Sequence, residues 1–207
     1  MYIYLIVLIL LVIFLIPTYK KPMLYRGMIT EDECSHIIEK AQNEFEDSKV
    51  NTTNMPLNKS VRDSETAWLD PNKDPVIRNV MKKCLSKCDR PLKNCERLQV
   101  LRYKSGGFYK PHYDACTSYT GCYSQKEKNN QRLYTFIIGL NDSYKGGETY
   151  FPILDKSYRL GKGDVLKFNN LDNYGMVCGK AVHGGMNVEE GEKYICNVWV
   201  HTYPYKE

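Results

Sequence analysis

The chain has 207 residues, 29 lysines and arginines against 24 aspartates and glutamates, and a net charge of +5. That length suits one globular domain with a short extension. The charge is scattered, with no basic run of the kind that forms a nucleic-acid arm, so no nucleic-acid partner is expected. Seventeen tyrosines favour a β-rich core, since tyrosine suits half-buried strands. Eight cysteines show none of the paired Cys-x-x-Cys knuckles of a structural zinc site. Their even number permits disulfides, with Cys116–Cys122 or a pair among Cys84, Cys88 and Cys95 as the local candidates.

Residues 1–16 read MYIYLIVLILLVIFLI, without one charged side chain, and are followed by Pro17 and Lys20-Lys21. The run is slightly short for a spanning helix. No charge precedes it and no small-x-small cleavage site follows it, so residues 1–19 are expected to be an uncleaved signal-anchor in a membrane. The lysines after the run argue for a cytoplasmic body. Sequons at Asn51, Asn58 and Asn141 would be usable only in a secretory lumen, where the protein would be a glycoprotein. Both orientations stay open on the sequence.

Thr30-Glu31-Asp32-Glu33 fits a capping box, and Ile37, Ile38, Ala41 and Phe45 follow at helical spacing, which predicts a helix over 31–46. Residues 47–66 are polar and read as a loop. Asp74-Pro75 starts a second helix, whose apolar face is Val76, Ile77, Val80, Met81, Cys84 and Leu85 and whose end falls near 87–89. Residues 22–95 are thus expected to form an N-terminal helical support region. After Cys95 come short β segments at 97–104, 109–114, 133–140, 148–151, 157–160, 164–169, 179–183 and 193–202. Mainly β with flanking N-terminal helices, this is the pattern of a sandwich or jelly roll.

His112-Tyr113-Asp114 places an imidazole and a carboxylate two residues apart, on one face if the segment is a strand. With His183 as third donor they make the two-histidine, one-carboxylate facial set that suits non-haem Fe(II) and leaves coordination positions open. Lys193, ten residues after His183, is a cation placed to hold an acidic cosubstrate. A lone H-x-D triplet is weak; the ordered set around it is not. That set runs from Leu98-Gln99-Val100-Leu101-Arg102-Tyr103 through Pro111-His112-Tyr113-Asp114, Gln131-Arg132 with Thr135, and Gly146-Gly147-Glu148-Thr149. It continues with Val182-His183-Gly184-Gly185, Gly191-Glu192-Lys193 and Trp199-Val200-His201.

The set closely resembles the prolyl 4-hydroxylase family of Fe(II)/2-oxoglutarate dioxygenases, over about Leu98–His201. More faintly, Arg62 and Ala67-Trp68-Leu69 resemble the segment before the collagen-type catalytic domain. The resemblance implies a double-stranded β-helix (jelly-roll) dioxygenase domain over 96–204. It implies that His112, Asp114 and His183 bind iron, that Lys193 pairs with the distal carboxylate of 2-oxoglutarate, and that Tyr103 and Thr135 add hydrogen bonds to it. It implies O2 and 2-oxoglutarate as cosubstrates, L-ascorbate as reductant, and peptidyl proline in a proline-rich or collagen-like chain as substrate, in the manner of procollagen-proline 4-dioxygenases.

Along the last strand, Lys193, Ile195, Asn197, Trp199 and His201 share one face. If Lys193 points into the barrel, Trp199 then walls the cosubstrate pocket, while His201, Arg102 and Arg132 are expected to be structural. Gly146-Gly147 reads as a tight turn, and His36 as a surface residue. Tyr109, Tyr119 and Tyr123 are placed near the mouth, where they could pack on prolines. A membrane-anchored protein of the secretory lumen is the expected setting. The alternatives are a related oxygenase acting on another residue or small molecule, and a membrane-anchored binding protein that keeps the fold without turnover.

Overall fold

The computed structural model describes residues 16–48, 59–117 and 129–206. Residues 1–15 of the expected membrane segment, the sequons at Asn51 and Asn58, and Tyr119, Cys122 and Tyr123 lie outside them. Among the described residues no helix is long and apolar enough to cross a membrane.

Two helices open the fold. In α1 (Glu31–Ala41) the Thr30 hydroxyl accepts from the Glu33 amide while the Glu33 carboxylate reaches back to the Thr30 amide, the reciprocal capping box read in the sequence. The helix stops at Ala41 rather than at 46, because Glu46–Asp47 (β2) leaves it to pair with Glu65–Leu69 (β4). In α2 (Pro75–Leu85) the Asp74 carboxylate accepts from the amides of Val76 and Ile77, and Pro75 fills a position that has no amide to satisfy. His36 is not a free surface residue: its Nε2 lies 2.7 Å from Asp74 Oδ2 and ties α1 to the start of α2.

The strands form two facing sheets and a small ribbon. The large sheet has seven strands in the order β1-β11-β7-β14-β5-β4-β2. Here β1 is Met23–Tyr25, β5 is Leu98–Tyr103, β7 is Arg132–Gly139, β11 is Val165–Asn169 and β14 is Lys193–His201. The five-stranded sheet runs β10-β9-β12-β6-β3, with β3 Arg62–Asp63, β6 Phe108–His112, β9 Thr149–Phe151, β10 Lys156–Tyr158 and β12 His183–Gly185. The ribbon pairs β8 (Tyr144–Gly146) with β13 (Val188–Gly191). All pairings are antiparallel, as a jelly roll requires. The N-terminal region thus supplies four strands to the sheets as well as the two helices.

Alternation along the large sheet divides the core in two. Val198, Cys196 and Tyr194 of β14, Phe136 and Ile138 of β7, and Leu98 and Val100 of β5 face outward and bury the apolar faces of both helices. Leu101, Ile137, Ile195, Leu166 and Phe168 face inward and meet Phe151 of the opposite sheet. The helices therefore close one side of the large sheet, and its other side faces a cavity.

Several local expectations change. The segment read as loop over 47–66 ends in strands, Arg62–Asp63 (β3) and the start of β4, because β4 pairs along β5 and β3 along β6. The segment read as a strand over 179–183 is a 3-10 turn (Gly179–Ala181) followed by β12. Gly146 and Gly147 both take positive φ in the turn between β8 and β9, the tight turn expected there. Cys116 is disulfide-bonded, whereas Cys84, Cys88 and Cys95 are free thiols, so no bridge forms among those three. Asn141 is committed internally: its Nδ2 donates to the Glu192 carbonyl at 2.7 Å and its Oδ1 accepts from the Tyr194 amide.

Candidate active site

β6 and β12 place His183 directly opposite His112. Directly opposed residues of an antiparallel pair share a face with their Cβ atoms about 5 Å apart, and these two rings lie 4.4 Å apart between centroids. Gly184 makes the approach possible. A Cβ there would sit 2.7 Å from Tyr150 Cε1 and 2.8 Å from the Tyr109 carbonyl oxygen, so a larger residue would push β12 away from its neighbours.

Asp114 departs from the strand expectation. β6 ends at His112, and Asp114 lies in the bend beyond it. The bend still turns its carboxylate to the two rings: Oδ1 is 3.7 Å from His112 Nε2 and Oδ2 is 3.7 Å from His183 Nε2. One donor atom from each residue lies within 4.8 Å of the others. Donors of a facial set, each about 2 Å from one ion, stand on the order of 3 Å apart, so a small closure brings them into bonding range.

The histidine tautomers fit a metal as well. His112 Nδ1 lies 2.9 Å from the Lys110 carbonyl oxygen, and His183 Nδ1 lies 3.0 Å from that of Ala181. A carbonyl only accepts, so Nδ1 carries the proton in both rings and each Nε2 presents its lone pair to the shared space. Burial and the neighbouring His183 push the pKa of His112 far down, against the pull of Asp114, which keeps this ring in the neutral form that metals take. Burial works to raise Asp114, but His183, His112 and Arg132 outweigh it and hold the carboxyl below its ordinary value. Two imidazoles and a carboxylate are the donor set for Fe(II).

The same cavity, of about 870 Å³, runs from this cluster to Lys193. Lys193 stands opposite Tyr103 across β14 and β5, and its ammonium lies 5.1 Å from the Tyr103 ring centroid. Only 3% of it is exposed, and among the described residues no carboxylate pairs with it. Burial pushes its pKa down to about 8; Glu148 opposes this and Arg159 adds to it. A buried, unpaired ammonium is costly, and the cost is relieved by an anion entering the cavity.

Lys193, Ile195, Asn197, Trp199 and His201 all line the cavity, as their shared strand face predicts. Trp199 is buried, and its Nε1–H has no hydrogen-bond partner among the described residues. Arg132 stacks on its ring at 3.5 Å and also pairs with Glu96, its Nε donating at 2.5 Å and its Nη2 at 2.9 Å. His201 completes this group, with Nε2 2.8 Å from Glu96 Oε1. Burial works to raise Glu96, and Arg132 and His201 outweigh it. Arg102 pairs with Glu65 on the far side of the sheet. The ion-pair roles expected for both arginines hold.

Thr135 lies beside the metal-binding cluster. Its hydroxyl donates to Asp114 Oδ2 at 2.6 Å, away from the Lys193 end. Thr149, beside Glu148, is a buried cavity residue that carries a hydroxyl. Sequence reading quoted Thr149 within its motif and gave it no role; its inward position on β9 was the available signal. Tyr109 does reach the cavity, where it stacks on His112 at 3.6 Å and lies beneath Arg62 at 4.7 Å. Arg62 and Trp68, which the sequence marked only through a faint family resemblance, and Glu96, to which it assigned nothing, are further cavity residues.

A jelly roll holding a His-Asp-His cluster with a buried lysine at the far end of one cavity defines a non-haem iron oxygenase of the cosubstrate-dependent class. Comparison with known proteins agrees. The sequence model of the 2OG-Fe(II) oxygenase superfamily matches residues 98–201. The chain is 33% identical over 183 residues to a putative prolyl 4-hydroxylase of Acanthamoeba polyphaga mimivirus, covering 87% of this chain and 74% of that one. It is 30% identical over 203 residues to a probable prolyl 4-hydroxylase of Arabidopsis thaliana, covering 88% of this chain and 63% of that one. Its fold matches the 2-oxoglutarate complex of a viral collagen prolyl hydroxylase from Paramecium bursaria Chlorella virus-1. That match has a TM-score of 0.70 and 28% identity and covers 89% of this chain and 97% of the other. The chain belongs to the 2OG-Fe(II) oxygenase superfamily and, within it, to the prolyl 4-hydroxylases.

Proposed function

We propose that this chain hydroxylates peptidyl proline to 4-hydroxyproline, consuming O2 and converting 2-oxoglutarate to succinate and CO2, with one oxygen atom going to proline and the other to succinate. The observation that carries the reading is one cavity with a three-donor metal cluster at one place and an unpaired buried ammonium, Lys193, at another. In this reading His112 Nε2, Asp114 Oδ1 and His183 Nε2 hold Fe(II). Lys193 holds the far carboxylate of 2-oxoglutarate, with Tyr103 and Thr149 beside it and Trp199 as the wall. When bound, Fe(II) would supply the O2-activating chemistry for C–H hydroxylation, with O2 as the oxidant and 2-oxoglutarate as the sacrificial reductant, and ascorbate would keep the iron reduced.

The chain's own groups orient the parts and exclude water. Phe168 and Phe151 pack against the His183 ring at 4.6 and 5.7 Å between centroids and make that wall apolar. Tyr109, Trp68 and Trp199 give the cavity aromatic surfaces, which suit an extended, proline-rich chain. The names of the relatives support the same substrate. The proposal extends to an anchored protein of the secretory lumen, for which the apolar run at 1–16 and the disulfide at Cys116 are the support.

The reading is tested with the full chain, Fe(II), ascorbate and 2-oxoglutarate, following succinate with and without proline-rich peptides. The expected result is peptide-stimulated succinate and a peptide gain of one oxygen atom on proline. Succinate without any peptide effect would keep the oxygenase and discard the proline substrate. No succinate from iron-loaded, folded protein would favour a non-catalytic binding role.

The pH dependence follows from Lys193. Its pKa is lowered to about 8, so the ammonium loses its proton, and its attraction for a dicarboxylate, as pH rises through that value. The half-saturating 2-oxoglutarate concentration is expected to be flat near pH 7 and to climb above pH 8, approaching about tenfold per pH unit. A requirement unchanged up to pH 9.5 would show that the charge on Lys193 does not hold the cosubstrate.

A further inference from the structure

Asp114 lies beyond the end of β6, so no ladder hydrogen bond fixes its orientation. Among the described residues its carboxylate accepts one hydrogen bond, from Thr135 Oγ1 at 2.6 Å. Thr135 Oγ1 in turn accepts from Asn170 Nδ2 at 2.9 Å. The direction of both bonds is forced. An ionised carboxylate cannot donate, so the hydroxyl gives its proton to Asp114 and the amide must give one to the hydroxyl.

The far end of this chain of bonds is rigid. Asn170 follows β11 and is 1% exposed. Its amide donates to the Leu133 carbonyl at 3.0 Å, and its carbonyl accepts from the Cys178 amide at 3.1 Å. Its side-chain Oδ1 is buried without a partner among the described residues. A leucine could fill the same space without that orphaned acceptor, so packing alone does not account for an asparagine here.

We propose that Asn170 is a positioning residue for the metal-binding carboxylate and acts through Thr135. The inference rests on the ligand set proposed above. A hydroxyl held only by its own rotamer can turn to other acceptors. With its lone pair filled by Asn170, the Thr135 hydroxyl stays on Asp114 Oδ2, in a short charge-assisted bond. That oxygen is kept from the ion, Oδ1 is left as the single ligating atom, and the remaining coordination positions stay open for cosubstrate and O2. Partners of this kind, outside the ligands themselves, set metal affinity.

The test is anaerobic titration of the full chain with Fe(II), and with Mn(II) as a redox-stable probe, in the absence of 2-oxoglutarate. Thr135→Val keeps the shape and removes the hydroxyl; it is expected to weaken the metal about 10- to 100-fold. Thr135→Ser keeps the hydroxyl and is expected to bind near wild type. Asn170→Leu is expected to weaken the metal by a smaller factor, and to add nothing in the Thr135→Val background, since the two act in series. Unchanged metal affinity in Asn170→Leu would overturn the proposal, as would a full additive loss in the double variant. If Thr135→Val does not fold, Asn170→Leu is compared in the wild-type and Thr135→Ser backgrounds. A loss in both sustains the proposal, and no loss in either overturns it. His183→Ala separates the two levels. Wild-type metal binding in that variant would mean that the ligand set itself is wrong. Loss there with no effect at Asn170 would mean that only the relay is.

Discussion

His183→Ala is expected to reduce turnover to background. His183 supplies one of three protein donors, and the other two cannot hold the ion's geometry alone. Among the described residues no other histidine, cysteine or carboxylate joins the cluster, so nothing stands ready to replace it. The effect should exceed the roughly 100-fold that outer partners of a metal site cost at most. Iron content after anaerobic loading and succinate formation with peptide are the two measurements. The fold should survive, because His183 adds no strand pairing that alanine cannot make, and far-ultraviolet dichroism checks this. Near-normal turnover in a folded His183→Ala variant would remove the residue from the proposed ligand set.

Lys193→Ala is expected to raise the 2-oxoglutarate requirement steeply while leaving metal binding in place. Removing one partner of a buried, hydrogen-bonded charge pair costs about 2–5 kcal/mol, which corresponds to roughly 30- to 4,000-fold in affinity. The lysine is buried and has no carboxylate partner among the described residues, so the cosubstrate would be its main counter-charge. If Lys193 contributes only binding, turnover at saturating 2-oxoglutarate should fall far less than turnover at low concentration. An unaltered requirement would mean that another group holds the acid. Together with His183→Ala, this variant separates the two ends of the cavity: one should lose metal, the other cosubstrate.

Much of the site could be read from local pattern. Alternation along 193–201 placed Lys193, Trp199 and His201 on one face, and the cavity confirms it, because the side-chain period of a strand is a property of the backbone alone. The capping residues Thr30 and Asp74 marked both helix starts for the same local reason: they satisfy amides two and three positions along the chain. Polar stretches were less legible. Arg62, Asp63, Glu65 and Thr66 have no apolar alternation, yet they are strand residues because β5 and β6 offer them free edges. Phe45 continues the helical spacing of α1 but lies beyond its end, directly before β2, where it still packs on the outer core.

By itself the sequence determined the donor types, their order, the lysine that follows them and the β-rich class. These depend on residue chemistry and on periods of a few residues. Only the tertiary structure decided which donors meet and where each hydroxyl goes. His183 faces His112, Lys193 faces Tyr103 and Trp199 faces Thr135 because of strand register. Register between distant segments is fixed by the packing of two whole sheets, which no local window contains. The same packing turned the Thr135 hydroxyl to Asp114 and placed Thr149 on the cavity wall beside Glu148.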